Sequence, residues 1–247
     1  MVKVDSVYHF FSYALDLTGL GMLLSKAASA KLNAMAGNCG RVEDYVDLAL
    51  NFRLGLDPFQ IHMKPAQVKG EIVRLTDLLN NLKPRAVLEI GTENGGTLFL
   101  WSRVASEDAT IVSIDLPEGP FGGGYPEWKV PFYESFARSR QSIHLVRGDS
   151  HDLATFRNVR RMLGASQLDF LFIDGDHSYE GVKKDFEMYS SLVRRGGIVA
   201  FHDIVPHSPE SGCEVSKFWN QVKGGHEQLE IVKDRSQKRA GIGLLFI

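Results

Sequence analysis

"AVLEIGTENGGT" (residues 86–97) decides the fold. The run from Ala86 to Ile90 is apolar apart from Glu89 and stops at Gly91; Gly95 and Gly96 then open a helical stretch. A short apolar run cut off in this way reads as a buried strand. A glycine-rich turn between strand and helix lets backbone amides approach a ligand closely, with the helix N-terminus behind them.

The pattern repeats outward. "TIVSI" (110–114) ends at Asp115, and "IHLVRGD" (143–149), "LDFLFID" (168–174) and "GIVAFHD" (197–203) follow. Helical stretches fall between them at 95–105, 131–140, 152–163 and 179–195, the last with Val182, Phe186, Tyr189 and Val193 on one face and "RRGG" as its terminator. Upstream, Val68, Ile72, Leu75, Leu79 and Leu82 keep helical spacing up to Pro84. Strands alternating with helices imply a mostly parallel α/β sheet covered on both faces. Ligands of such sheets bind beyond the carboxyl ends of the strands. Those ends carry Glu89 and Gly91, Asp115, Asp149, Asp174, and the pair His202–Asp203. Helix N-capping explains one or two aspartates, but not an acid at every strand end.

The 247 residues suffice for one α/β domain or a domain with an appendage, and the mix of 44% hydrophobic and 23% charged residues is ordinary for a globular chain. A net charge of −2 gives no electrostatic footprint for nucleic acid or an anionic membrane, and "RNVRR" (157–161) reads as a solvated helix face. Cys39 and Cys213 are the only cysteines and lie far apart, which fits a reducing cytoplasm rather than a disulfide framework. Residues 7–24 are apolar enough to suggest a signal peptide, with "ASA" at 28–30. Asp5, His9 and Asp16 interrupt that run, however, and favour packing or contact between copies in a homo-oligomer. Residues 1–66 read as a helical extension, with "VEDYVDLAL" (42–50) its clearest helix, and 67–247 as the α/β domain.

The glycine turn bears on the ligand. A dinucleotide site wants glycine at position 93, and Glu93 opposes a pyrophosphate there by size and charge. The spacing is instead Glu89-x-Gly91-x-x-x-Gly95, and an acid just before the turn suits a cationic or amine-bearing ligand.

On these residues, the chain from about 67 to 247 resembles the class I S-adenosylmethionine-dependent methyltransferases. The resemblance implies a Rossmann-like fold with a seven-stranded sheet, one strand antiparallel; "LEIVK" (229–233) and "GIGLLFI" (241–247) would be the closing antiparallel pair. It places the methionine moiety at Glu89, Gly91, Thr92 and Gly95, the ribose at Asp115, and the adenine at Asp149 and Ser150. "DFLFIDGDHSYEG" (169–181) narrows the resemblance to O-methyltransferases of macrolide and aminocoumarin sugars and related cephalosporin-pathway enzymes. By that resemblance Asp174 is a metal ligand beside the cofactor, Asp176 the general base, and Asp203 a further ligand. Position 202 departs from the pattern with His in place of an acid. Imidazole suits Mn2+ and other transition ions better than Mg2+, so Mg2+, Mn2+ and no metal all stay open.

The implied chemistry is transfer of a methyl group to a hydroxyl of a small molecule, a sugar or glycosylated metabolite. A hydroxyl is too weak an acid to attack unaided at neutral pH, so a base at Asp176 or His177 is required, and a divalent ion would help. His144, His151 and His226 read as structural or surface residues, whereas His207 lies near the fifth strand end. "GPFGGGYPEW" (119–128) suits a mobile loop on the ligand side, and Phe132, Tyr133 and Phe136 read as core. Two other function classes stand beside this one: an NAD-linked oxidoreductase, and a catalytically silent binding protein that keeps the fold.

Overall fold

The computed structural model describes residues 15, 19–56, 60–117, 119, 121 and 124–247. Much of the apolar run at 7–24 and part of the glycine loop at 119–128 lie outside the described residues.

The sheet has seven strands: β1 (Ala86–Ile90), β2 (Thr110–Asp115), β3 (Ser142–Arg147), β4 (Leu168–Ile173), β5 (Val193–His202), β6 (Glu227–Ile231) and β7 (Ile242–Phe246). Their spatial order is 3-2-1-4-5-7-6. The pairs among β1 to β5 are parallel, and β7 runs antiparallel to both β5 and β6. The sheet is therefore mostly parallel with one reversed strand, as expected. The order switches beside β1, where a ligand crevice belongs.

Alternate side chains of the buried strands enter two separate cores. Val87, Ile111, Phe170, Phe172 and Ala200 face one side, against α1 (Leu20–Ala36), α2 (Val42–Asn51), α3 (Lys69–Leu82) and α4 (Gly96–Val104). Leu88, Ile90, Val112, Leu171 and Phe201 face the other, against α6 (Leu153–Leu163), α7 (Tyr179–Tyr189) and α8 (Val215–Val222). Burial on both faces explains why these strands read as unbroken apolar runs. Each fully buried Leu, Ile or Phe contributes roughly 1.5–3 kcal/mol. Described parts of the N-terminal extension share the first core: Ala28, Leu32, Val46 and Phe52 are buried with Leu98 and Phe99 of α4.

Two elements differ from expectation. The helix expected over 179–195 ends at Tyr189; a 3-10 turn, Ser190–Leu192, leads into β5, which starts at Val193. Val193 pairs with Leu168, so the "RRGG" segment belongs to the strand beside a register shift and does not cap a helix. The helix expected at 131–140 is one short piece, α5 (Val130–Glu134), whose Phe132 and Tyr133, with Phe136, form an aromatic cluster in the core.

Among the described residues, no helix is long and apolar enough to cross a membrane.

Candidate active site

A cavity of about 470 Å³ lies at the carboxyl ends of β1 to β5. Of the residues assigned from sequence, Gly91, Thr92, Asp115, Asp149, Ser150, Asp174, Asp176, His177, His202 and Asp203 line it. Glu89 and Gly95 do not.

Glu89 sits behind the cavity wall, fully buried. Trp101 Nε1–H donates to its Oε1 (2.8 Å), and the Ser113 hydroxyl donates to Oε2 (2.6 Å). Burial pushes its carboxyl up to about 7 against the lowering effect of its bonds with Ser113, Thr97 and Trp101. Ser113 Oγ also meets Thr92 Oγ1 at 2.6 Å, so Glu89 braces the glycine turn from below. The alternation of the strand decides this: Glu89 lies between Leu88 and Ile90, on the face that packs on α4.

Gly91 and Gly95 have steric reasons to be glycine. Gly91 has φ +101, and a Cβ there would lie 2.1 Å from the carbonyl oxygen of Asp174. The turn is thus pressed onto the end of β4, and Asp174 N donates to Ile90 O (2.8 Å). Gly95, at φ +76, has Tyr133 where a side chain would be.

Asp115 closes the β2 end. Its Oδ2 accepts from Glu93 N and its Oδ1 from Gly124 N (2.8 Å). Burial raises its carboxyl to about 6, opposed by these amide hydrogen bonds. At the β3 end, Asp149 Oδ1 accepts from His151 N (2.8 Å), and buried Ser150 uses its carbonyl to accept from the Tyr189 hydroxyl (2.7 Å).

The β4 and β5 ends form a dense ionic network. Asp174 Oδ2 accepts from Gln67 Nε2 (2.6 Å), and Asp174 Oδ1 lies 3.0 Å from His202 Nδ1. Asp203, at φ +62, contacts three imidazoles: His177 Nδ1 at 2.9 Å, His207 Nε2 at 3.0 Å and His202 Nδ1 at 3.4 Å. Ala240 N also donates to its Oδ1 (3.0 Å). For Asp203, burial is outweighed by the His202 charge and the His177 and His202 hydrogen bonds, which hold its carboxyl far below the usual range. For His177, burial would lower the pKa, but bonds to Asp203 and Cys213 with the nearby carboxylates push it up to about 10. His177 is thus tied to Asp203, with its Nδ1 facing that carboxylate. Asp176 Oδ1 accepts from Ser178 N (2.8 Å) at the start of α7, and its carboxyl group packs on Gly181, where a Cβ would come within 2.1 Å.

The chemistry of the donor set fits a divalent ion. One ligand atom each from Asp174, His202 and Asp203 lies within 4.8 Å of the others, and Asp176 is outside that group. His177, Asp203 and Cys213 converge in the same way. The cavity also fits a cationic nucleoside ligand: Glu93, Asp115, Asp149 and Asp174 line it. Buried Gln67 Oε1 and His202 Nε2 have no hydrogen-bond partner among the described residues.

Several lining residues carried no local signal in the sequence. Gln67 arrives with Lys64, Pro65 and Ala66 on the segment ahead of α3. That segment is seated on Gly96, where a Cβ would lie 2.1 Å from Met63 O and 2.8 Å from Pro65. His151 lines the cavity with its Nε2 3.3 Å from buried Asp185 Oδ1, a partner on α7 that only the fold brings near. His207 lines it too, as its place near the β5 end suggested. Of the glycine loop, Gly119 and Phe121 reach the cavity, and Arg239 and Ala240 come from the β6–β7 connection. Glu71 on α3 holds that connection: its Oε1 accepts from Lys233 N (2.9 Å) and Gln237 Nε2 (2.7 Å), and its Oε2 from Gly241 N (3.0 Å).

Comparison with known proteins agrees with the geometry. A family model described as a methyltransferase domain matches residues 88–204. An O-methyltransferase from Bacillus cereus, solved with S-adenosylhomocysteine, shares the fold with a TM-score of 0.55 at 17% identity, over 74% of this chain and 84% of that one. The O-methyltransferase TomG from Streptomyces achromogenes, involved in tomaymycin synthesis and solved with S-adenosylmethionine, gives 0.53 at 19% identity, over 85% and 91%. Among curated proteins, the uncharacterized protein y4gI of Sinorhizobium fredii is 26% identical across 68% of this chain, and the uncharacterized protein R132 of Acanthamoeba polyphaga mimivirus 29% identical across 56%. The chain spans 18% of the first and 61% of the second. Sheet order, the placement of the cavity and the sequence match converge: residues 88–204 match the methyltransferase-domain model, and the chain has the fold of the solved O-methyltransferases.

Proposed function

We propose that the chain is an S-adenosylmethionine-dependent O-methyltransferase. Its acceptor would be a hydroxyl of a small molecule, a sugar or glycosylated metabolite, with Mg2+ or Mn2+ at Asp174, His202 and Asp203. One observation carries the reading: the acidic ends of four parallel strands meet in one cavity, with Asp115 at the β2 end, Asp149 after β3, and the Asp174–His202–Asp203 group at the β4 and β5 ends.

S-adenosylmethionine, when bound, supplies the methyl electrophile. A divalent ion, when bound, makes the acceptor hydroxyl more acidic. The chain's own residues do the rest. Asp115 holds the ribose, Asp149 and Ser150 edge the base, and the glycine turn receives the methionine half. Asp174, oriented by Gln67 and His202, and Asp203, clamped by His177, His207 and the Ala240 amide, fix the acceptor end. Asp176 is the better proton acceptor, because His177 is engaged with Asp203. Alignment of the reacting atoms, rather than new covalent chemistry, is the main task. Glu93 in the cavity stands against an NAD-linked oxidoreductase, and a silent binding protein would not need the Asp–His–Asp convergence. Free Cys39 and Cys213 support a reducing, cytoplasmic setting.

Calorimetric titration with S-adenosylhomocysteine, with and without Mg2+ or Mn2+, tests the reading, followed by a labelled-methyl screen over sugars, phenols and glycosylated metabolites. Binding of the nucleoside and methylation of a hydroxyl are expected; no binding of any S-adenosyl compound overturns it.

A further inference from the structure

Glu93 is fixed by its own backbone. Its N–H donates to Asp115 Oδ2, its carbonyl accepts from the Tyr133 hydroxyl (3.0 Å), and its φ is +44. Glycine would take this conformation without strain, yet the chain places a charged side chain there. A non-glycine residue held in the left-handed region at a ligand cavity is the kind of outlier that points to function.

Glu93 lines the cavity, and its carboxylate accepts from Asn94 Nδ2 at 2.8 Å. Buried Lys129 acts on it only through its field, with no ion pair within 4.0 Å among the described residues. The surrounding protein, then the fields of Asp174 and Asp115, push the Glu93 carboxyl up to about 7, although the residue as a whole stays exposed. The cavity thus collects carboxylates, and the cations that oppose Glu93, Lys129 and His177, act on it through their fields. Glu89, the other acid of the turn, faces Trp101 and Ser113 instead.

The following step rests on the methyltransferase reading. In S-adenosylmethionine the sulfonium joins the ribose C5′, the methionine chain and the departing methyl. With Asp115 at the ribose and Asp174 at the acceptor end, the sulfur lies between them, beside Glu93. We propose that Glu93 is the counter-ion of the donor's sulfonium, raising affinity for the charged donor relative to the neutral product. During transfer the acceptor oxygen's lone pair forms the new O–C bond and the C–S pair stays on sulfur. The hydroxyl proton passes to Asp176. The sulfur is then uncharged, Glu93 has lost its partner, and the product is held less firmly.

Calorimetry on the full chain measures affinities for S-adenosylmethionine and S-adenosylhomocysteine in the wild type, Glu93→Gln and Glu93→Gly. The glycine variant suits the left-handed backbone, so loss of folding does not confound the comparison. In both variants the ratio of donor to product affinity is expected to fall about two- to fivefold, as for one lost solvent-accessible charge pair. An unchanged ratio, whether both affinities fall together or neither moves, overturns this inference alone. Failure of the wild type to bind either compound overturns the methyltransferase reading, and this inference with it.

Discussion

His202 Nδ1 lies 3.0 Å from Asp174 Oδ1, while its Nε2 is buried with no hydrogen-bond partner among the described residues. An imidazole held between two carboxylates can serve as a cation or, once neutral, as a metal ligand. Metal binding requires the second state. Mn2+ should therefore bind more tightly as pH rises, and Asp203→Asn should weaken binding by at least about tenfold, since one hard oxygen ligand is lost. Titration followed by electron paramagnetic resonance reads both; Mn2+ affinity indifferent to pH and to Asp203 would remove the metal from the site.

Glu89 predicts a pH-dependent stability. Its folded pKa of about 7 stands above the ordinary 4.5, so the folded chain keeps the proton longer than the unfolded one. Stability contributed by the protonated form is complete below pH 4.5 and declines as pH rises to about 7, by on the order of 3 kcal/mol. Glu89→Gln keeps an acceptor for Trp101 and has nothing to ionise, so it should flatten this decline. Urea midpoints at pH 5 and pH 8 make the comparison, and equal slopes for both proteins would refute it.

Gly91→Ala should destabilise the fold by more than about 2 kcal/mol, because the new Cβ meets the Asp174 carbonyl and φ is positive. Glu93→Gly should do the reverse and stabilise by roughly 1 kcal/mol, by releasing a left-handed glutamate. Denaturant titration of the two variants tests the pair; a neutral Gly91→Ala would mean that the turn can lift off β4.

The reach of the sequence can be judged strand by strand. Ala86–Ile90 and Thr110–Asp115 were legible because two-sided burial demands continuous apolar runs, and the chain punctuates them with Gly91 and Asp115. The helix at 179 was overrun because Val182, Phe186, Tyr189 and Val193 satisfy a helical period even though Val193 already pairs with Leu168. Cavity residues at strand ends could be read from order alone. Glu89 was misplaced because the face of a strand that meets a ligand depends on what packs on the other, here Trp101. Gln67 and Asp185 left no trace, since their partners Asp174 and His151 are distant in sequence and near only in space.

Glu71→Ala should loosen the β6–β7 connection. It strips the acceptors from the Lys233 and Gly241 amides and from Gln237; of these only the Gly241 amide is buried, and leaving it unpaired costs about 1–3 kcal/mol. Hydrogen exchange at residues 233–241 should quicken, with Ala240 affected because it donates to Asp203. Unchanged protection there would show that the connection holds without Glu71.

The seat of Met63 and Pro65 on Gly96 has an engineering consequence. Because that seat delivers Gln67 to Asp174, the helical extension is not an interchangeable module. A chimera that grafts the front of a relative onto this α/β core must carry positions 63–67 along, or surrender the brace on Asp174.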